Sequence, residues 1–286
     1  MNDIMPDRAR RVWYSHQQST ERHGSGIFEK LPRVDWTAYS ELRLFRNDPR
    51  IRFEGVIHES IRPTLYDIAH AEGLTVGACD VSLRHVGYEA DQRPKNSRNI
   101  PLLREYLARD PDRLYCWWHL GECLRLAGEE DAAIQALTTG IDRLRGLPAA
   151  KRELGDSLLF TLLIKLKHAK GEAIDGVADE ALAFFPDNLA IQSIAAQLAV
   201  ERGELDRAQP VLEKIAAIDG DTYFDPRLAY DRALFRHLSL EPLALCHFRA
   251  RRYAEAARLY KQAARTAPDP RGLELKGRLA ELRAAA

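Results

Sequence analysis

Four short stretches in the first hundred residues hold side chains able to move a proton or grip an anion: Arg43-Leu-Phe-Arg46-Asn47, Gly55-Val-Ile-His58-Glu59, His85-Val-Gly-Tyr88 and Lys95-Asn-Ser-Arg98-Asn99. A carboxylate such as Glu59, with the imidazole of His58 beside it, can take a proton from a hydroxyl placed against it. Arg46 and Arg98 can hold anionic oxygens through charge-assisted hydrogen bonds. His85 follows Glu59 by 26 positions and adds a second imidazole. On residue type alone, each also has a plainer reading. Glu59 beside His58 fits a solvated surface pair, and His85 fits a hydrogen-bonded residue at a strand end. His85 with one neighbouring carboxylate supplies two ligands at most, too few for a tight divalent site, so no metal site is assigned. Asp110-Pro-Asp112 and Asp219-Gly-Asp221 have a metal-like spacing but read as helix caps and turn formers.

The elements that would position these residues change character along the chain. Arg11–Tyr14, Leu42–Phe45, Ile51–Phe53 and Val81–Leu83 alternate apolar and polar residues, the period of half-buried strands. Arg62 to Glu72 reads as a helix stopped by Gly73. A polar, proline-containing connector runs from Glu89 to Pro94, and from Asn99 onward the chain reads as helices and short turns. The expected division is therefore residues 1–92, an α/β segment, and residues 93–286, an all-α repeat.

The second part repeats. Trp117, Leu120, Gly121, Leu124, Gly128, Ala133 and Leu137 follow the tetratricopeptide pattern, and Leu243 to Pro268 follows it again. Leu189 to Asp219 fits more loosely, and Leu154 to Pro186 is a degenerate unit. Small residues at Gly121, Ala133, Ala208 and Ala256 would let paired helices approach closely. Turns are expected at Gly128, Gly171, Gly203 and Arg251, and Arg271 to Ala286 is expected to cap the last unit. This predicts a tetratricopeptide-like helical solenoid.

The order of the four stretches, followed by that repeat, resembles the closing part of bacterial family 2 glycosyltransferases that carry a tetratricopeptide tail. The resemblance implies a mixed α/β domain that transfers sugar from a nucleotide-sugar, with a divalent cation as cofactor. It would make Glu59, with His58, the general base that activates the acceptor, and would place His85, Arg46 and Arg98 on the diphosphate or metal side. The strand–helix unit that grips the nucleotide in that family, and its Asp-x-Asp motif, have no counterpart before Leu42. The expectation is a chain inactive alone, completed by a separate nucleotide-binding chain or self-associating through strand edges left open at Val12, Leu44 and Phe53. Two alternatives stand beside it: an interaction module that binds a protein or peptide on the repeat, and a gene fragment without independent function.

Composition narrows the partners. Forty-two basic residues balance 42 acidic ones, so no global field favours nucleic acid. Leu158–Ile164 is too short to span a bilayer and the first residues lack the apolar run of a secretory leader, which predicts a cytoplasmic protein. Cys79, Cys116, Cys123 and Cys246 show no paired spacing and read as buried reduced thiols.

Overall fold

The computed structural model describes the backbone of residues 11–20, 36–57, 59–85, 93–225 and 227–285, with side chains outside 11–41, 43, 78–85 and 93–96. Contacts divide the chain into two units, Met1–Asp110 and Pro111–Ala286. The division expected from the sequence, at 92/93, precedes a helix that the contacts assign to the first unit.

The first unit is mixed. Its sheet has the order β2-β1-β3, with β1 (Arg11–Thr20) antiparallel to β2 (Trp36–Leu44) and parallel to β3 (Thr75–His85). Helix α1 (Arg62–Glu72) begins with a proline in its first turn and ends at Gly73, whose φ of 62° closes the helix. There Gly73 N–H donates to His70 O and Leu74 N–H to Ala69 O, the paired bonds of a Schellman stop. Leu42, Ile61 and Leu65 form a small core with Ile51 and Val76 packed against it. Helix α2 (Arg93–Arg109) takes in Arg93 and Pro94, which the sequence assigns to a connector. Proline is tolerated in a first helical turn, where its missing N–H has no partner to lose.

Ile51–Phe53 is not a strand, and the reason lies in one hydroxyl. Arg52 N–H donates to Thr64 Oγ1 at 3.1 Å, and Thr64 Oγ1 donates to Arg52 O at 3.1 Å. Helix α1 thus takes both backbone groups that a neighbouring strand would need. A single bridge, Glu54 with Ser60, follows and closes the loop between them.

The second unit is four helix pairs and a further helix. The pairs are α3 (Leu114–Leu126) with α4 (Glu130–Gly146), α5 (Leu158–Ala169) with α6 (Asp175–Phe184), α7 (Leu189–Arg202) with α8 (Leu205–Ala216), and α9 (His237–Arg249) with α10 (Tyr253–Ala264). Helix α11 (Arg271–Ala284) packs on α10. One backbone device turns the chain inside every pair. Gly128, Gly171, Gly203 and Arg251 all have positive φ, at 82°, 70°, 82° and 61°. At each, two backbone bonds close the first helix; at Gly203 they are Gly203 N–H to Val200 O and Glu204 N–H to Ala199 O.

Small residues set the spacing between helices. A Cβ at Gly121 would lie 2.7 Å from Leu137 Cγ and Cδ2, and Ala133, Ala208 and Ala256 are fully buried. A second close approach occurs at Gly140, where a Cβ would lie 2.7 Å from Trp117 Cβ and 2.9 Å from Leu159 Cδ2. Gly140 therefore lets α4 accept both its own partner α3 and the next helix α5. Cys116, Cys123 and Cys246 are buried free thiols, and burial pushes the Cys246 thiol up. The Cys79 side chain lies outside the described residues.

Between α8 and α9 the regular alternation stops. The connection from Ala217 to Arg236 folds into its own small core, with Leu228, Tyr230, Leu234 and Phe235 packed on Leu189 and Ile215. Gly220 is buried against Phe235, 3.1 Å from where its Cβ would be. Tyr230 is buried, which pushes its phenol up to about 12, and its Oη accepts from Leu189 N–H at 3.3 Å. Alongside, Asn188 caps α7 by accepting from Ala190 and Ile191 N–H and donates through Nδ2 to the buried Ser157 Oγ at 2.7 Å.

Candidate functional site

The loop bearing Glu59 is ordered by reciprocal backbone bonds, Glu54 N–H to Ser60 O and Ser60 N–H to Glu54 O, both 2.9 Å. Gly55 supplies its φ of 118°, and Ile57 and Ile61 anchor the loop in the core. Glu59 projects from it as an exposed carboxylate. His58 lies outside the described residues. His85 ends β3 opposite Ser19 of β1, and its side chain lies outside the described residues. Arg46 is exposed, and Arg98 on α2 is exposed and donates to its neighbour, Asn99 Oδ1, at 3.4 Å. Among the described residues, no hydrogen bond or ion pair joins Glu59 to Arg46 or Arg98, and no group of three His, Cys, Asp or Glu could hold a metal ion. The cavity bordered by Arg46, Asp48, Leu65 and Glu72 holds about 20 Å³, room for a water molecule and not for a nucleotide.

A different arrangement emerges on the helical unit. Because the four turns are alike, positions counted back from them are equivalent. Tyr115, Leu158, Ala190 and Leu238 each lie thirteen residues before their turn, Trp118, Thr161, Ser193 and Glu241 ten before, and Glu122, Lys165, Gln197 and Leu245 six before. These rows share one side of the first helices, since on α3 the opposite side, through Trp117 and Gly121, packs on α4. Helix α3 packs on α5 and α7 on α9, so the rows run between the helices of these two neighbouring couples.

The rows are chemically uneven. On α3 the ring of His119 lies 4.3 Å from Tyr115, edge-on, and 4.4 Å from Trp118, making one aromatic patch. Tyr115 remains 43% exposed and Trp118 is half-buried. Beside them Arg125 grips Glu122 through two bonds of 2.8 and 2.6 Å. The next helix presents Thr161 and the exposed Lys165, and α7 presents Gln197, whose amide donates to Ser193 Oγ at 3.1 Å. Leu238 on α9 is 45% exposed. An aromatic surface followed by a cation and an amide can bind an apolar anchor and the polar groups of a chain laid across it.

The aromatic patch on α3 is not among the residues singled out from the sequence. It occupies one helix, and its signal is Tyr115, Trp118 and Glu122 at helical spacing beside the Trp117 of the repeat pattern. The arginines near the C-terminus are exposed, as expected of turns and helix exteriors, but two of them also bridge helices. Arg249 donates to Val200 O and Glu201 O at the end of α7. Arg252 donates to His247 Nδ1 at 2.9 Å and to Gln209 of α8. Asp219 accepts from Asp221 N–H and Thr222 Oγ1, and this holds its carboxyl below the usual range in a turn, the role the sequence predicts.

Comparison with known proteins bears on the same region. The tetratricopeptide repeat family matches residues 96–148, so this segment carries a tetratricopeptide repeat. A TPR repeat-containing protein of Synechococcus elongatus is 36% identical over 123 residues, 41% of this chain and 30% of that protein. The chain thus spans less than a third of that relative's length. Among solved structures, Cut9 with Hcn1 from the APC/C hetero-tetramer covers 67% of this chain and 34% of that one, at a TM-score of 0.49 and 14% identity. YrrB, described as a TPR protein with an unusual peptide-binding site, covers 66% of this chain and 84% of its own, at 0.44 and 12%. The family match and the Synechococcus relative support a tetratricopeptide repeat, and neither supports the glycosyltransferase part of the sequence resemblance. No helix among the described residues is long and apolar enough to cross a membrane.

Proposed function

We propose that this chain is a protein-interaction module whose repeat binds a peptide or protein segment along the side formed by α3, α5, α7 and α9. The observation that carries the reading is the Tyr115–Trp118–His119 patch, with Lys165 and Gln197 at positions equivalent to Glu122 on α5 and α7. The segment best matched has an apolar or aromatic anchor for Trp118 and an acidic or carbonyl group within reach of Lys165. Rows of equivalent positions suit an elongated ligand, because each helix adds one small set of contacts to the last. Peptides selected from a random phage-displayed library test it. Selected peptides should lose about tenfold or more in affinity on Trp118→Ala or Lys165→Glu, with the melting temperature held. Peptides that bind the variants as well as the parent, or a selection that enriches nothing, would remove the reading.

The order of the sequence stretches supports a second reading, in which Glu59 and His58 serve sugar transfer once a nucleotide-binding half is supplied. In it Glu59 is the base and His85, Arg46 and Arg98 flank the diphosphate. A thermal-shift panel of nucleotide-sugars with Mn²⁺ checks it, since a ligand of the native state raises its stability by mass action. A shift that Arg46→Ala or Arg98→Ala abolishes would sustain this reading, and a shift that both variants leave unchanged would end the roles it gives these arginines.

A further inference from the structure

Helix α11 has two apolar faces, and one of them is open. Its inner face, Leu273, Gly277 and Ala280, is buried against α10, with Tyr260 Cβ 3.5 Å from where a Gly277 Cβ would lie. Leu275, Leu279 and Leu282 lie on the other side and are 69%, 48% and 72% exposed. At about 100° per residue, these three fall within roughly 60° of one another and about opposite the buried stripe. An i, i+4, i+7 ridge of leucines is what one helix offers another.

The charges beside the ridge are of one sign. Arg271 and Arg278 line one flank, and Lys276 and Arg283 line the other, all exposed. Lys276 is tied to Glu241 at 2.6 Å, and the acidic Glu281 lies away from the ridge, bound to Lys261 of α10. Two copies of α11 packed ridge to ridge would therefore bring basic flank against basic flank in either direction. That arrangement is repulsive. A second copy is disfavoured, and a partner with acidic flanks is favoured.

We infer that the outer face of α11 is a docking site for an amphipathic helix of a partner polypeptide, with an apolar stripe bordered by Asp or Glu. The ridge covers about two helical turns, so the partner need contribute only a short helix. A helix laid on this ridge would cover it as α11 itself covers α10.

Binding of designed helical peptides to the full chain tests this. One peptide carries leucines at heptad positions a and d with glutamates at e and g, and its counterpart has lysines at e and g. The glutamate peptide should bind about tenfold or more tightly than the lysine peptide, and Arg278→Glu with Arg283→Glu should reverse the order. Leu275→Gln, Leu279→Gln and Leu282→Gln together should abolish binding of both while circular dichroism holds. If that triple variant fails to fold, the charge-reversal pair decides alone. Equal affinity for the two peptides would overturn the proposal. So would dimerisation of the parent chain that the leucine changes abolish, or co-sedimentation with phosphatidylserine vesicles in the absence of peptide binding.

Discussion

Arg251 shows what one residue's backbone reveals about the others. It holds the left-handed conformation that glycine holds at the three equivalent turns, and it makes the same two closing bonds. A side chain there costs about 1–2 kcal/mol by crowding its own carbonyl, partly offset because glycine loses more freedom on folding. Arg251→Gly should therefore stabilise the repeat by about 0.5–1 kcal/mol, raising the melting temperature by a few degrees. Thermal unfolding of the two proteins, with Arg251→Ala as an unaltered control, checks it. The three glycine turns were legible because an αL stop needs that residue, and Arg251 was legible only by its place in the repeat. Gly140 was not singled out. Its need to be small comes from Trp117 and Leu159, residues on two other helices that no local pattern brings together.

At the scale of elements, the strands and the helix pairs were read from periodicity, and they failed where a side chain took over a backbone's partners. Thr64 did so for Arg52, which is why Ile51–Phe53 alternates like a strand without being one. The candidate site of the first unit was legible as residue types but not as an assembly, since Glu59, Arg46 and Arg98 make no mutual bonds among the described residues. The α9–α10 pair carries a titratable link that the sequence does not announce. His247 is buried, and burial together with Arg252 holds its imidazole below the ordinary histidine range. Its Nδ1 accepts from Arg252 Nε, so the folded ring is neutral there. With the folded pKa below the unfolded one, the stability this ring allows is present above about pH 6.5 and is lost as the pH falls through and below that value. The melting temperature should drop between pH 7.5 and 5.5, and His247→Gln should flatten that drop. An unchanged slope in the variant would assign the pH dependence elsewhere.

Across the whole molecule, basic and acidic residues balance, and the second unit is a helical repeat. Neither the aromatic patch on α3 nor the leucine ridge on α11 required a perturbed acid or a metal to be noticed. Both hold apolar groups left exposed to solvent, which is the kind of observation that needs solvent exposure and not sequence alone. The residues from Ala217 to Arg236 gave no repeat pattern, because their order comes from packing on Leu189 and Ile215 and from the Asp221 carboxylate, which no helical period encodes. That segment has a consequence for handling the protein. Trypsin meets Arg227, Arg232 and Arg236 in a connection long enough to be an obvious target, yet Arg232 and Arg236 are held by Asp221 and the backbone around them is packed on α7. Under native conditions these peptide bonds should survive limited digestion, as mass spectrometry of the fragments would show. A nick there would not release a harmless loop. It would strip Leu189 of its Tyr230 bond and open the start of α7, so that cleavage and unfolding would proceed together.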